Sequence, residues 1–158
     1  MKKLLILILL AQSLYSNAQK IYLDENKVQV TEPSTAKYYK IVESGNDSKG
    51  YIELHFYLTG EKESENTFIK SSGKFVKNGK SISWYKNGQL KSECNFIKGE
   101  RDGKELTYYD NGQLKSEISD LDGQDKQLIV TYWKNGKTKR RDLFIKDKLE
   151  TGFCFDSL

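Results

Sequence analysis

The sequence predicts an all-β fold, an open antiparallel meander of tandem β-hairpin repeats of about 24 residues each, in a single-layer or gently curled sheet. Three observations support this prediction. The same short pattern recurs at a constant step, an Asn-Gly pair lies inside each copy, and the single proline, Pro33, precedes all copies. Asn-Gly between alternating residues is a strong hairpin signal, and a proline inside a central strand would remove a ladder hydrogen bond.

The repeat is visible in three copies. Residues 84–93 read WYKNGQLKSE, residues 108–117 read YYDNGQLKSE, and residues 132–139 read YWKNGKTK, so the step is 24 residues both times. An earlier copy ends at Gly60, which is 28 residues before its counterpart, and the extra residues are expected within 70–78. The residues predicted to form the repeat turns are Gly60, Asn87, Gly88, Asn111, Gly112, Asn135 and Gly136.

A two-residue type I′ turn at each Asn-Gly pair predicts a register for the sheet. Tyr85 would face Leu90, Ser83 would face Ser92 and Trp84 would face Lys91. One repeat later, Tyr109 would face Leu114 and Tyr108 would face Lys115. Because side chains alternate along a strand, one face is expected to carry Tyr85, Leu90 and Cys94. The other face is expected to carry Ile82, Trp84, Leu106, Tyr108, Val130 and Tyr132. Lys98-Gly99 and Asp122-Gly123 are the expected return turns.

The N-terminal residues 1–18 have the three parts of a secretory signal peptide. Lys2 and Lys3 precede an apolar run from Leu4 to Ala11, and a small, polar stretch ends at Ala18. The run is shorter than the roughly 20 residues needed to cross a bilayer, so a permanent anchor is disfavoured. Cleavage is expected after Ala18, giving an exported protein in the periplasm or outside the cell.

The remaining chain divides into three predicted parts. Residues 19–49 are expected to form capping strands, with candidates at Ile21-Leu23 and Tyr38-Val42. Residues 50–152 form the repeat array, and residues 153–158 form a C-terminal cap. Both ends are expected to protect the edges that an open sheet exposes.

Composition excludes several classes of function. The chain has 26 Lys+Arg and 22 Asp+Glu. Without Lys2 and Lys3 the basic groups fall to 24, a near-balance that argues against a nucleic-acid partner. Aromatic residues are 12% of the chain and charged residues 30%, which indicates thin packing that depends on aromatic side chains. The sequence contains no phosphate-binding glycine motif, and no cofactor is expected.

No catalytic, metal-binding or disulfide residues are predicted. His55 is the single histidine and falls in an ordinary strand position of the repeat, and no ligand spacing for a metal accompanies it. Cys94 and Cys154 are two and a half repeats apart, which is about 24 Å across a linear sheet with strands 4.8 Å apart. A disulfide needs Cα atoms within about 7 Å, so none is expected.

The repeated pattern of two aromatic residues, one residue, Asn-Gly, one residue and Leu-Lys-Ser-Glu resembles the bacterial variant of the MORN repeat (membrane occupation and recognition nexus). The resemblance extends over about residues 50–152 and weakens in the last copy, where Thr138 replaces leucine. It implies a scaffold or interaction module. Bacterial relatives are commonly labelled antitoxin components, and eukaryotic relatives are linked to membranes.

The sequence therefore predicts a non-catalytic exported repeat protein that binds another protein or acts as a scaffold in the cell envelope. The alternatives are an antitoxin or immunity protein that neutralises a toxin by direct binding, and a module that associates with a membrane or cell-wall surface. The candidate binding residues are Tyr57, Tyr85, Tyr109 and Trp133 on one face and Trp84, Tyr108 and Tyr132 on the other. A weak contact with an anionic envelope surface is expected through Lys134, Lys137, Lys139, Arg140 and Arg141.

Overall fold

The computed structural model describes residues 19–44, 50–121 and 126–156. They form eleven strands: β1 (Ile21–Leu23), β2 (Tyr38–Ser44), β3 (Gly50–Tyr57), β4 (Lys62–Ser71), β5 (Lys74–Trp84), β6 (Leu90–Ile97), β7 (Glu100–Tyr108), β8 (Leu114–Leu121), β9 (Lys126–Tyr132), β10 (Thr138–Ile145) and β11 (Lys148–Cys154). The predicted signal peptide and the predicted return turn at Asp122-Gly123 lie outside the described residues.

All eleven strands belong to one sheet, and their order in the sheet is their order along the chain. Every neighbouring pair is antiparallel, so each strand pairs with the strands immediately before and after it. In the described part of the chain, the one helical element is a 3₁₀ turn at Pro33–Thr35. The predicted fold class, an open antiparallel meander of hairpins, is confirmed.

The buried apolar residues concentrate at the N-terminal end of the sheet. Ile41 in β2 and Leu54 in β3 are cross-strand partners and are 1% and 2% exposed. Tyr39 and Phe56 stack beside them with ring centroids 4.9 Å apart. Burial of apolar side chains is the main favourable term in folding, so this cluster anchors a sheet whose later strands are mostly half-buried.

The Asn-Gly turns differ from the predicted two-residue type I′ turns. At the first complete turn only Gly88 has a positive φ, of 82°. The amide of Gly88 donates to the carbonyl of Tyr85 (2.9 Å), and the amide of Tyr85 donates to the carbonyl of Gln89 (2.8 Å). This is a three-residue loop closed by a glycine bulge. Asn87 has no positive φ, and its side-chain Oδ1 accepts a hydrogen bond from the amide of Gln89 (3.0 Å).

The type I′ geometry occurs instead at the return turns. Lys98 and Gly99 have φ values of 51° and 94°, and the flanking residues Ile97 and Glu100 are cross-strand partners. The same paired positive φ values occur at Ser72-Gly73 and at Lys146-Asp147. The turns of the described residues are therefore of two kinds, bulged turns at the repeated glycines and tight two-residue turns at Ser72-Gly73, Lys98-Gly99 and Lys146-Asp147.

The bulge corrects the predicted register next to the Asn-Gly turns. Trp84 lies opposite Leu90 and not opposite Lys91, and Tyr108 lies opposite Leu114 and not opposite Lys115. The predictions that paired Tyr85 with Leu90 and Tyr109 with Leu114 are wrong for the same reason. Beyond the bulge the predicted pairing of Ser83 with Ser92 is confirmed.

The four extra residues of the first hairpin lengthen its two strands. β4 and β5 have 10 and 11 residues, against 8 and 9 in β6 and β7. The tip of this longer hairpin, at Ser72-Gly73, lies within the predicted segment. Gly79, at a φ of 95°, lies where the register between β4 and β5 shifts, which lets the longer hairpin rejoin the regular sheet.

The left-handed glycine of the bulged turn gives a testable prediction. Gly112 has a φ of 83°, and a Cβ atom there would lie 3.1 Å from the flexible side-chain oxygen of Gln89. Gly112→Ala is expected to lower the free energy of unfolding by about 1–2 kcal/mol, because an L-residue is strained in this region. Urea denaturation measures the change. Gly112→Asn is the control, since asparagine tolerates the left-handed region, and equal losses in the two variants would contradict the explanation.

Candidate functional site

The two faces of the sheet carry different rows of side chains. One series of cross-strand partners runs through β5 to β9 and therefore lies on one face, which we call the front face. Its members are Ile82, Glu93, Leu106, Glu117 and Val130. Apolar residues on β5, β7 and β9 thus alternate with glutamates on β6 and β8. The predicted placement of Ile82, Leu106 and Val130 on one face with Trp84, Tyr108 and Tyr132 agrees with this register.

Trp84, Tyr108 and Tyr132 form an aromatic row along the front face. They occupy the last positions of β5, β7 and β9. Each lies two residues beyond an apolar front-face residue: Ile82, Leu106 or Val130. All three are half-buried. With strands about 4.8 Å apart, neighbouring members of the row are separated by about 9.6 Å. The row therefore presents aromatic side chains at a regular interval on an open surface.

Polar side chains hold this row in place. The hydroxyl of Tyr108 donates to Glu93 Oε1 (2.9 Å), which directs the ring back across β6. Burial, and next the hydrogen bond to Glu93, raise the pKa of Tyr108, so its phenol remains a donor at neutral pH. The ammonium of Lys62 lies 5.4 Å from the centre of the Trp84 ring, and it also bonds Glu65.

An open groove of about 290 Å³ lies on the front face around Ile82 and Leu106, two residues along the strands from the aromatic row, whose members do not line it. Charged and amide side chains from β5, β6 and β7 share its wall with Ile82 and Leu106. The side-chain amide of Asn95 donates to Asp102 Oδ2 (2.8 Å). Lys104 donates to Glu117, the front-face glutamate of β8. The groove therefore combines apolar contact area with several hydrogen-bonding groups.

The opposite face, which we call the back face, carries a row of hydroxyl groups. Its members are cross-strand partners from β4 to β9: Ser64, Ser83, Ser92, Thr107, Ser116 and Thr131. Within the hairpins β5–β6 and β7–β8 the hydroxyls bond each other, at 2.7 Å between Ser83 and Ser92 and 2.6 Å between Thr107 and Ser116. Such pairs stabilise antiparallel neighbours.

The other predicted aromatic set, Tyr57, Tyr85, Tyr109 and Trp133, links consecutive repeats. The hydroxyl of Tyr85 donates to the backbone carbonyl of Tyr108 (2.7 Å), and that of Tyr109 donates to the carbonyl of Tyr132 (2.8 Å). Tyr57 makes the corresponding, longer bond to Trp84 (3.5 Å). Trp133 occupies the last position, where its buried Nε1 has no hydrogen-bond partner in the described part of the chain.

The turns themselves form a second link between repeats. The side-chain amide of Asn87 donates to the carbonyl of Asp110 (2.8 Å), and that of Asn111 donates to the carbonyl of Lys134 (3.3 Å). Lys134 also pairs with the carboxylate of Asp110 at 2.9 Å. The Asn and Tyr residues of one repeat thus bind the backbone of the next, which explains why these types recur at a fixed interval.

Removal of the Tyr109 hydroxyl tests the link between consecutive repeats. Tyr109→Phe is expected to lower the free energy of unfolding by about 1 kcal/mol, because it leaves the carbonyl of Tyr132 without its donor. Thermal and urea denaturation measure the loss. Tyr132→Phe is the matched control, since its hydroxyl makes no hydrogen bond to the described residues. If both variants are as stable as the parent protein, the hydrogen bonds from tyrosine hydroxyls to the next repeat do not stabilise the array.

The histidine belongs to a charged cluster that sequence reasoning missed. His55 Nε2 donates to Glu53 Oε1 (2.7 Å), and Lys40 Nζ donates to Glu53 Oε2 (2.9 Å). The hydrogen bond from His55 is the largest cause of a pKa of about 2 for Glu53; the bond and charge of Lys40 add to it, while burial opposes it. The cross-strand pairing of Lys40 with His55 was needed to find this cluster.

The cysteines are free in the structure. Cys94 lies in β6 and Cys154 ends β11, five strands away. Burial, and next the charge of Glu105, raise the pKa of the Cys94 thiol. A reactive cysteine requires a lowered pKa, so this environment does not activate it as a nucleophile. Among residues 19–44, 50–121 and 126–156, no three His, Cys, Asp or Glu side chains are arranged to hold a metal ion.

Part of the predicted basic cluster has partners within the protein. Lys134 pairs with Asp110, Arg140 pairs with Asp142 at 2.6 Å, and Lys139 lies 4.5 Å from the centre of the Trp133 ring. Lys137 and Arg141 have no ion-pair partner among the described residues. Contact with an anionic surface stays a prediction, and it depends mainly on these last two residues.

Comparison with known sequences supports the repeat assignment. Residues 77–98 and 101–119 match the sequence model of the MORN repeat variant. Two segments of the chain are therefore similar to the MORN repeat variant. Each matched segment includes one bulged Asn-Gly turn and most of the two strands that it joins, β5 and β6 in the first segment and β7 and β8 in the second. No curated protein sequence matches the chain.

The sheet continues beyond the two matched segments with the same local geometry. At the next bulged turn, Gly136 has a φ of 84° and its amide donates to the carbonyl of Trp133 (2.9 Å). Gly60, at a φ of 101°, makes the same bond to Tyr57 on the other side (2.9 Å). None of the described helical segments is long and apolar enough to cross a membrane.

Proposed function

We propose that this protein is a non-catalytic, exported repeat module that binds another protein on its front face and acts as a scaffold in the cell envelope. The observation that carries the proposal is the aromatic row of Trp84, Tyr108 and Tyr132, half-exposed at a regular interval on the face that also carries an open groove. Aromatic residues are enriched at protein interfaces because they bury a large area while retaining a polar group.

The front face supports this role better than the back face does. On the back face the paired hydroxyls satisfy each other, and the ladder tyrosines use their hydroxyls on the next repeat. The front-face groove has the apolar side chains of Ile82 and Leu106 in its wall, whereas a second open groove, on the back face, is lined by Glu100, Arg101, Asp120 and Gln127. The motif of Lys2, Lys3 and the apolar run from Leu4 to Ala11 supports export, and with it a partner in the envelope.

Site-specific photo-crosslinking in intact cells tests the proposal. A photo-reactive amino acid at Lys104, an exposed front-face position in the groove, is expected to capture one stoichiometric protein partner. The control places the photo-reactive amino acid at Arg140, which is exposed and in register with the back-face row. It is expected to capture no partner. In the crosslinked complex, mass spectrometry is expected to show that this protein begins at Gln19. Equal capture from both positions, or none from Lys104, would refute the front-face assignment.

A further inference from the structure

We propose that the aromatic row binds a proline-rich, basic segment of the partner, in the polyproline II conformation and lying across the strands. This inference rests on the proposed function and specifies the chemistry of the partner. Such segments dock on aromatic-lined grooves, and their conformation is largely formed before binding, which reduces the entropy lost.

The spacing of the row fits this conformation. Trp84, Tyr108 and Tyr132 are two strands apart, which is about 9.6 Å. A polyproline II helix has three residues per turn and rises about 3.1 Å per residue, so the same face returns every 9.3 Å or so. Two turns of an α-helix rise about 10.8 Å, so a helical segment would lose alignment with the row's interval of about 9.6 Å after fewer contacts. Every third residue of the segment would therefore meet one aromatic ring.

The charges of the groove favour a basic segment. Glu93 accepts a hydrogen bond from Tyr108 and Asp102 accepts one from Asn95, yet neither carboxylate has an ion-pair partner among the described residues. Lys80 is one lysine of the groove wall, and the other, Lys104, is paired with Glu117. Of these two carboxylates Glu93 is the one next to the row, since it lies opposite Leu106 and bonds Tyr108, and an arginine or lysine of the segment would pair with it.

The same spacing sets the length of the segment. From Trp84 to Tyr132 the row crosses four strand intervals, about 19 Å, which corresponds to about six residues of polyproline II. Phe155 follows β11 by one residue, on the face of Phe153, the partner of Arg141. It is 47% exposed and continues the row by two more strands. A segment reaching Phe155 needs about nine residues.

The test compares two synthetic peptides by fluorescence polarisation with the mature protein. Four copies of Arg-Pro-Pro are expected to bind about tenfold more tightly than four copies of Arg-Gly-Gly, since charge and length match while proline adds preorganisation and ring contacts with the aromatic row. Trp84→Leu, which keeps apolar bulk, and Glu93→Gln are each expected to weaken binding of the proline peptide. Thr131→Ala, on the back face, is the control and is expected to bind normally. Circular dichroism confirms that each variant is folded.

Three results would overturn the inference. Equal affinity for the two peptides would show that charge alone drives binding, and unchanged affinity in Trp84→Leu would place the peptide elsewhere. Binding of a linear β-1,4-linked glycan to the row, with no binding of the proline peptide, would assign the surface to another ligand class. If Lys104 still captures a protein partner while the proline peptide fails, the proposed function stands and this inference alone is wrong.

Discussion

Leu54→Ala is expected to lower the free energy of unfolding by about 2–5 kcal/mol, the usual range for truncating a buried leucine. Leu54 is 2% exposed and packs in the cluster of Tyr39, Ile41 and Phe56. A single sheet offers few sites of this kind, so the void left by the missing side chain has no other apolar layer to fill it. Urea denaturation followed by circular dichroism measures the loss.

Leu149→Ala is the matched control for this substitution. Leu149 lies in the edge strand β11 and is 52% exposed, so its truncation is expected to change stability by less than about 0.5 kcal/mol. Similar losses at the two positions would contradict the view that the N-terminal cluster anchors the sheet. A large loss at Leu149 alone would place the main stabilising contacts at the C-terminal end.

Acid is expected to destabilise the protein through Glu53. Its pKa in the folded protein is about 2, below the ordinary value of 4.5, because His55 and Lys40 bind the carboxylate. A lowered pKa stabilises the folded state above the ordinary value, and this contribution is lost as the pH falls from about 4.5 through 2. The loss is expected to be about 2–3 kcal/mol. Denaturation at a series of pH values between 7 and 2 measures it.

Two variants separate Glu53 from the other carboxylates that titrate in the same range. Glu53→Gln removes the titrating group, so it is expected to be less stable at pH 7 and to lose less stability on acidification. Glu150→Gln, at an exposed position of β11, is expected to follow the parent protein. If Glu53→Gln and the parent protein lose stability equally between pH 5 and 2, the cluster of Glu53, His55 and Lys40 does not control acid stability.

The sequence was sufficient to predict the repeated hairpins because their turn residues act locally. Gly88 and Gly112 occupy left-handed positions that few other residues tolerate, so their constant spacing reveals the repeat. The turn type was predicted wrongly because Asn-Gly fits either a type I′ turn or a bulged three-residue loop. In all three Asn-Gly turns the asparagine Oδ1 accepts a hydrogen bond from the amide two residues on, which accompanies the bulged loop.

The contacts that require long-range register were the ones the sequence did not provide. Both aromatic sets were predicted as candidate binding residues, yet nothing in the pattern distinguished Tyr85, which bonds the following repeat, from Trp84, which faces the groove side of the sheet. Whether either set binds a partner stays a prediction. The cluster around Glu53 depends on the pairing of β2 with β3, for which the sequence offers no repeat to fix the register.

Nuclear Overhauser contacts across a repeat boundary test the central claim, that backbone pairing continues from each repeat to the next. The account predicts cross-strand contacts between Ser92 and Thr107, which join β6 to β7, and between Ser116 and Thr131, which join β8 to β9. Contacts confined to the individual hairpins, with none across these two boundaries, would contradict a continuous sheet and the regular aromatic row that depends on it.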